Sequence, residues 1–258
     1  MSTKRVKDEP ILRLKNAPIV EAVIDLDCEM PPLWQLKPVE TAAKDSFRAQ
    51  YPKFREVLLQ EHRIEAQHEA ESHVSSQSRL QGFQFLHEDE RQLVQVRANG
   101  YSFNRLSPYS TLDDYIREIE RTWKLFVSFA SPVQVRAIRL RYINRILLPT
   151  SGGKLELADF FKICPHLPDE EKLVLVGFLN QHAAVEKDSG NQVNIILAGQ
   201  ALENNMIPVI FDITAATAMK TEPDNWGGIF ASIQSLRHLK NRVFRNTLTS
   251  KCLNLFQR

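Results

Sequence analysis

Cysteine is scarce in this chain. Cys28, Cys164 and Cys252 are odd in number, far apart, and include no C-x-x-C pair. Such a set points to neither a disulfide framework nor a zinc ribbon, and it fits a reducing cytoplasm. Long apolar runs are also missing: nowhere do roughly eighteen apolar residues follow one another, and no apolar segment stands behind the charged start MSTKRVKDEPILRLK. Neither a membrane partner nor a secretory leader is therefore expected. No sign of charge dominates, because 33 Lys and Arg face 31 Asp and Glu, for a net charge of +2. That sum does not mark a nucleic-acid protein, although its distribution along the chain matters more than its total. The G-x-G-x-x-G, Walker, nucleophile-elbow and H-E-x-x-H patterns are absent too, so no cofactor and no metal is read from motifs.

What remains is a chain of 258 residues, 43% hydrophobic and 25% charged, a composition able to build a sizeable core. Hairpins are its clearest local signal. In QLVQVRANGYSFNRL the pair Asn99-Gly100 separates two alternating runs, and Asn-Gly suits a two-residue type I′ turn. That turn would set Ala98 opposite Tyr101 and Val96 opposite Phe103, with the apolar letters on one face. GFQFL, joined through HEDER, extends the meander by a strand. The second half repeats the manner with KLVLVGFLNQHAAVE, the turn Asp188 to Gly190, NQVNIILAG and IPVIFDIT. Pro208 argues that the last of these is an edge strand or is just opening there.

Each meander runs into an amphipathic helix. The first carries the stripe Leu112, Tyr115, Ile116, Ile119, Trp123, Phe126 and Val127, with Ser110 or Thr111 as N-cap; the second carries Trp226, Ile229, Phe230, Ile233, Leu236, Val243 and Phe244. A shorter helix is expected over Val39 to Gln50, and the polar stretch Glu61 to Gln81 reads as exposed. The expectation is an α+β protein, antiparallel β-meanders packed on two long amphipathic helices. It forms one compact unit over 1–258, in which halves 11–130 and 131–250 hint at a strand-strand-strand-helix duplication.

The start LRLKNAPIVEAVIDLDCE, the hairpin GFQFLHEDERQLVQVRANGYSFNRLSPYSTLDDY, the strand LRYINRILLP and the end FRNTLTSKCLNLF together resemble a sporadically distributed bacterial family of about this length. Its members are known chiefly as uncharacterised proteins. The resemblance brings no catalytic residue and no cofactor. The family's patchy distribution implies a defence or toxin-antitoxin type of neighbourhood.

Chemistry has few candidates. His62, His68 and His73 are spaced wrongly for one helix face and lack a Cys, so a solvated segment is the better reading than a metal site. Cys164-Pro165-His166 reads as a loop, and Asn180, Gln181 and His182 belong to no triad order. In RAIRLRYINRI the apolar phase slips at Ala137/Ile138, the mark of a β-bulge, and Arg139, Arg141 and Arg145 fall on the non-core face. Glu21, Asp25 and Asp27 alternate on another strand and could pair with those arginines across the sheet.

The end of the chain is basic. From Ile229 to Arg258 there are six Lys or Arg and no Asp or Glu. Arg139, Arg141, Arg237, Lys240 and Arg242 are therefore the candidate binding residues, the last three expected beside the helix stripe and outside the core. The first reading is a non-catalytic binding or interaction protein of the bacterial cytoplasm that takes a protein partner or an anionic ligand. The alternatives are nucleic-acid binding through a basic face and an enzyme with a dispersed active site. The apolar tail, with Leu248, Leu253, Leu255 and Phe256, should dock on the body or, in a homodimer, on a second copy.

Overall fold

The computed structural model describes residues 14–65, 73–150, 155–165 and 176–257. One nine-stranded antiparallel sheet organises them. Its strands are β1 (Ile19–Glu29), β2 (Lys53–Glu65), β3 (His73–Leu86), β4 (Gln92–Arg97), β5 (Gly100–Leu106), β6 (Gln134–Pro149), β7 (Leu179–Val185), β8 (Gln192–Gly199) and β9 (Met206–Thr221). They lie in the order β2-β3-β4-β5-β1-β6-β9-β8-β7. The helices are α1 (Leu36–Phe47), α2 (Leu112–Ala130), α3 (Trp226–Thr247) and α4 (Ser250–Asn254), with a 3-10 turn at Leu157–Asp159. This is the expected α+β class. Among the described residues no helix is long and apolar enough to cross a membrane.

The helices cover one face of the sheet. Along β6 the buried residues Ile138, Leu140, Tyr142, Ile146 and Leu148 alternate with more exposed ones, as period two requires of a sheet covered on one side. Ile229, Ile233, Leu236 and Phe244 of α3 are buried against them, and Phe244 stacks on Phe211 of β9 at 5.6 Å between ring centroids. Trp123 and Phe126 of α2 pack on Tyr101 of β5 with centroids 5.6 and 5.8 Å away. Helix α2 starts where its sequence signal lies: the Asp114 carboxylate accepts from the Thr111 backbone N–H at 3.2 Å and from its hydroxyl at 3.0 Å.

Several local expectations are corrected. The hairpin pairs Val96 with Tyr101 and Val94 with Phe103, so Ala98 and Asn99 form the turn and Gly100 already opens β5. Gly100 is required for another reason. Its φ is +145°, and a Cβ there would sit 2.1 Å from the Leu26 carbonyl oxygen of β1. Helix α1 begins three residues earlier than expected and ends at Phe47. The register shift in β6 falls between Val135 and Ala137, one step before the expected slip, and leaves Arg136 outward. Strand β9 is interior, between β6 and β8, but Pro208 lies beyond the last β8 pair, Gly199 with Val209, so the strand is just opening there. Of the polar stretch Glu61 to Gln81, Glu65 ends β2 and His73 opens β3, while 66–72 lie outside the described residues. The tail docks on its own chain: Cys252 and Phe256 are buried, and the Phe256 carbonyl accepts from the Asn16 N–H at 3.0 Å.

Candidate functional site

The five basic candidates do not form one surface. Tyr142 points to the helix side of the sheet, since the Lys240 amine of α3 lies 3.7 Å above its ring. Arg139 and Arg141, an odd number of residues away along β6, therefore point to the opposite side. There they are matched by acids. Arg139 lies 2.6 Å from Asp27 and 3.6 Å from Asp25, and Arg97 of β4 reaches the same Asp27 at 2.9 Å. Arg141 grips Asp212 of β9 through Nε and one terminal nitrogen, with contacts from 2.6 to 3.1 Å. These bonds raise the Arg141 pKa further above its ordinary value. Glu21 takes a hydrogen bond from Asn104 at 2.7 Å, and its charge also favours the Arg141 guanidinium. The remaining arginines of β6 are paired as well: Arg136 with Glu29 at 2.6 Å, and Arg145 with Glu203. The row of arginines is thus the wet face of a sheet, neutralised strand by strand.

The cations of α3 divide again. Arg242 reaches Glu186, just past β7, and the Ser189 hydroxyl together with Arg242 holds that carboxyl below its usual range. Arg237 makes a bidentate pair with Asp113 in the first turn of α2, at 2.7 and 2.9 Å. This bond lowers the Asp113 pKa and raises that of Arg237. Lys240 does not flank the apolar stripe. It lies in it, on the 229, 233, 236, 240, 244 spacing that an α-helix keeps on one face, and is only 8% exposed. Three-and-four spacing could have placed it there from sequence; its charge argued the other way.

Arg237 and Lys240 do share a site. They line a cavity of about 490 Å³ between α2, α3, β6 and the residues leading into β1. Its apolar wall includes Leu14, Ile19, Leu112 and Phe244; its polar groups include Tyr109, Tyr142 and Asn144. The Tyr109 and Tyr142 hydroxyls are 2.8 Å apart, and burial raises both phenol pKa values. Asn144 is spent on the sheet, its amide donating to the Phe211 carbonyl at 2.8 Å. The Arg237–Asp113 pair is neutral as a unit, which singles out Lys240. Among the described residues no hydrogen bond and no carboxylate reaches its amine, whose contact is the Tyr142 ring. Burial, helped by the nearby Arg237 charge, pulls its pKa down to about 7.

Sequence reasoning found Arg237 and Lys240 as a charge pattern but missed Tyr109, Asp113 and the role of Tyr142, which come from two other segments and share no motif with α3. The other candidates stay apart. His182 and Asn180 lie on the exposed strand β7, Gln181 donates to Asn194 at 3.1 Å, and the Cys164 thiol donates to the Phe161 carbonyl. His68 and His166 lie outside the described residues, among which no group of His, Cys, Asp and Glu could hold a metal. No protein-family model matches this chain, and neither does any curated protein sequence.

Proposed function

We propose that this chain is a binding protein, and that its ligand is a small molecule with an acid-bearing polar head and an apolar body, held in the cavity between α2 and α3. One observation carries the reading: a lysine amine without a hydrogen bond or ion pair among the described residues faces a cavity of about 490 Å³. Buried amines normally have partners, because an unpaired one loses its hydration and gains nothing. A cavity of this size falls within the range of small-molecule sites, as does its mixture of an apolar wall and few polar groups. Charge argues against a broad nucleic-acid face, since Arg139, Arg141, Arg237 and Arg242 each already hold a carboxylate.

The proposal includes the ancestry of the site. Across the β1–β6 pair the order β5-β4-β3 is answered by β9-β8-β7, and α2 follows β5 as α3 follows β9. We read halves 11–130 and 131–250 as copies of one strand-and-helix unit, so that the cavity lies where the copies meet. A place in the bacterial cytoplasm, within the family it resembles and its defence-type neighbourhoods, belongs to the same reading.

The test is a thermal-shift titration of the full chain with phenyllactate, benzoate, inorganic phosphate and an arbitrary DNA duplex. Acids with an apolar body should raise Tm, and Asn241→Phe, which pushes a ring into the cavity, should abolish the shift. A response to DNA alone, falling steeply with salt, would replace this reading with nucleic-acid binding.

A further inference from the structure

We infer that Lys240 is a covalent anchor: its amine condenses with the carbonyl group of a 2-oxo acid that carries an apolar side chain, and holds it as an imine in the cavity. The inference rests on reading this cavity as the ligand site. Three features of the surroundings favour a nucleophile over a structural cation. First, among the described residues no acid answers the amine: the Arg237 charge lies one turn back on α3, and Asp113 of α2, the acid in the cavity wall, is engaged by Arg237; the Tyr142 ring at 3.7 Å favours the ammonium but does not offset burial. A desolvated lysine beside a second cation is the arrangement that frees the lone pair of an amine near neutral pH. Its pKa of about 7, against an ordinary 10.5, gives it a neutral fraction on the order of a thousand times that of a surface lysine at pH 7.

Second, a proton donor is at hand. The Tyr109 and Tyr142 hydroxyls carry two protons and use one between them at 2.8 Å, and both side chains line the cavity. The Lys240 lone pair forms the C–N bond to the carbonyl carbon, and the carbonyl oxygen takes up a proton from the ammonium thus formed, directly or through the hydroxyl pair. The carbinolamine then expels that oxygen as water, leaving C=N. The reaction converts amine plus ketone into imine plus water, needs no oxidant or reductant, and reverses by hydrolysis.

Third, the wall suits the rest of such a molecule. Leu14, Ile19, Leu112 and Phe244 offer an apolar surface for its side chain, and Asn241 of α3 brings a polar side chain to the same wall.

The experiment treats the full chain with phenylpyruvate and sodium cyanoborohydride at pH 7, then maps the labelled peptides. Phenyllactate, similar in size and likewise ionised at pH 7 but lacking the ketone, serves as the control ligand in a parallel Tm measurement. Lys240 should be labelled at least about tenfold faster than exposed Lys53 and Lys124. Its labelling rate should rise through pH 7 and then level off, while theirs keeps climbing towards pH 10. Lys240→Met keeps the aliphatic stem and should lose the label, with the surface lysines unchanged. If phenyllactate and phenylpyruvate both raise Tm but Lys240 reacts no faster than Lys124, the imine is refuted and the cavity remains a non-covalent site. If neither compound raises Tm and Lys240 stays unlabelled, both readings fall.

Discussion

Lys240 and Arg141 show opposite ways in which a charge can meet a sheet. Lys240 is buried beneath its helix and, among the described residues, meets no acid, so the folded state prefers the neutral amine. Between about pH 7 and 10.5 the unfolded chain holds a proton on Lys240 that the folded chain has released. Folding stability contributed by this residue therefore rises with pH across that window, by on the order of 1 kcal/mol per pH unit, and is flat below it. Urea titrations of the wild type and Lys240→Met from pH 6.5 to 9.5 should show the wild type gaining relative to the variant; parallel curves would mean that the amine is not buried. Arg141 is half exposed, but it satisfies Asp212, which is 6% exposed. Arg141→Met should cost about 2 kcal/mol in a denaturant titration, because it leaves a buried carboxylate unpaired. Asp212→Asn in the same background should recover part of that loss. A loss within a few tenths of a kcal/mol would show that solvent satisfies Asp212 as well as the guanidinium does. Nothing in RAIRLRYINRI discloses Asp212 as a partner, since the two residues are 71 apart in sequence and meet only through the β6–β9 register.

At the scale of elements, periodicity was a good guide to faces and a poor guide to register. The Asn99-Gly100 reading put Val96 opposite Phe103, whereas Val96 meets Tyr101. A shift of two residues in the partner leaves every side chain on the same side of the pleat, so the apolar alternation fits both pairings equally. The choice was made by β1: the Asn99 carbonyl accepts from the Cys28 N–H at 2.8 Å, and Gly100 lies flat against Leu26. Gly100→Ala should therefore destabilise by at least about 2 kcal/mol, through both the positive φ and the contact with β1. A chemical-denaturation midpoint close to that of the wild type would contradict the close approach. Helix α2 was legible nearly to the residue because its cap and its stripe agree. In α3 the stripe was legible at Ile229, Ile233, Leu236 and Phe244, but Phe230, expected in it, is exposed, and at Lys240 residue type and spacing disagreed and spacing prevailed.

At the scale of the molecule, the segment before β1 and the tail after α3 meet at the cavity. Phe256 of the tail lies 6.4 Å from Phe244, a cavity-lining ring, and its carbonyl holds Asn16, the neighbour of the lining residue Ala17. Deleting Cys252 to Arg258 should lower Tm and also remove the phenyllactate-induced shift, whereas a tail irrelevant to the site would leave that shift intact. By itself the sequence determined the α+β class, the alternation of strands, the buried positions Ile119, Trp123 and Phe126 and Ile229, Ile233, Leu236 and Phe244, the bulge to within a step, and the basic character of the end. These are consequences of short-range periodicity and turn chemistry, which neighbours in the chain carry. Only the tertiary structure decided that β1 and β6 pair at the centre of one nine-stranded sheet, that Arg139 and Arg141 face away from α3, and that Lys240 is buried over the Tyr142 ring. Charge neutralisation and cavity shape depend on which segments meet across the sheet. Those meetings are chosen by the packing of the whole core, which no local window of the sequence contains.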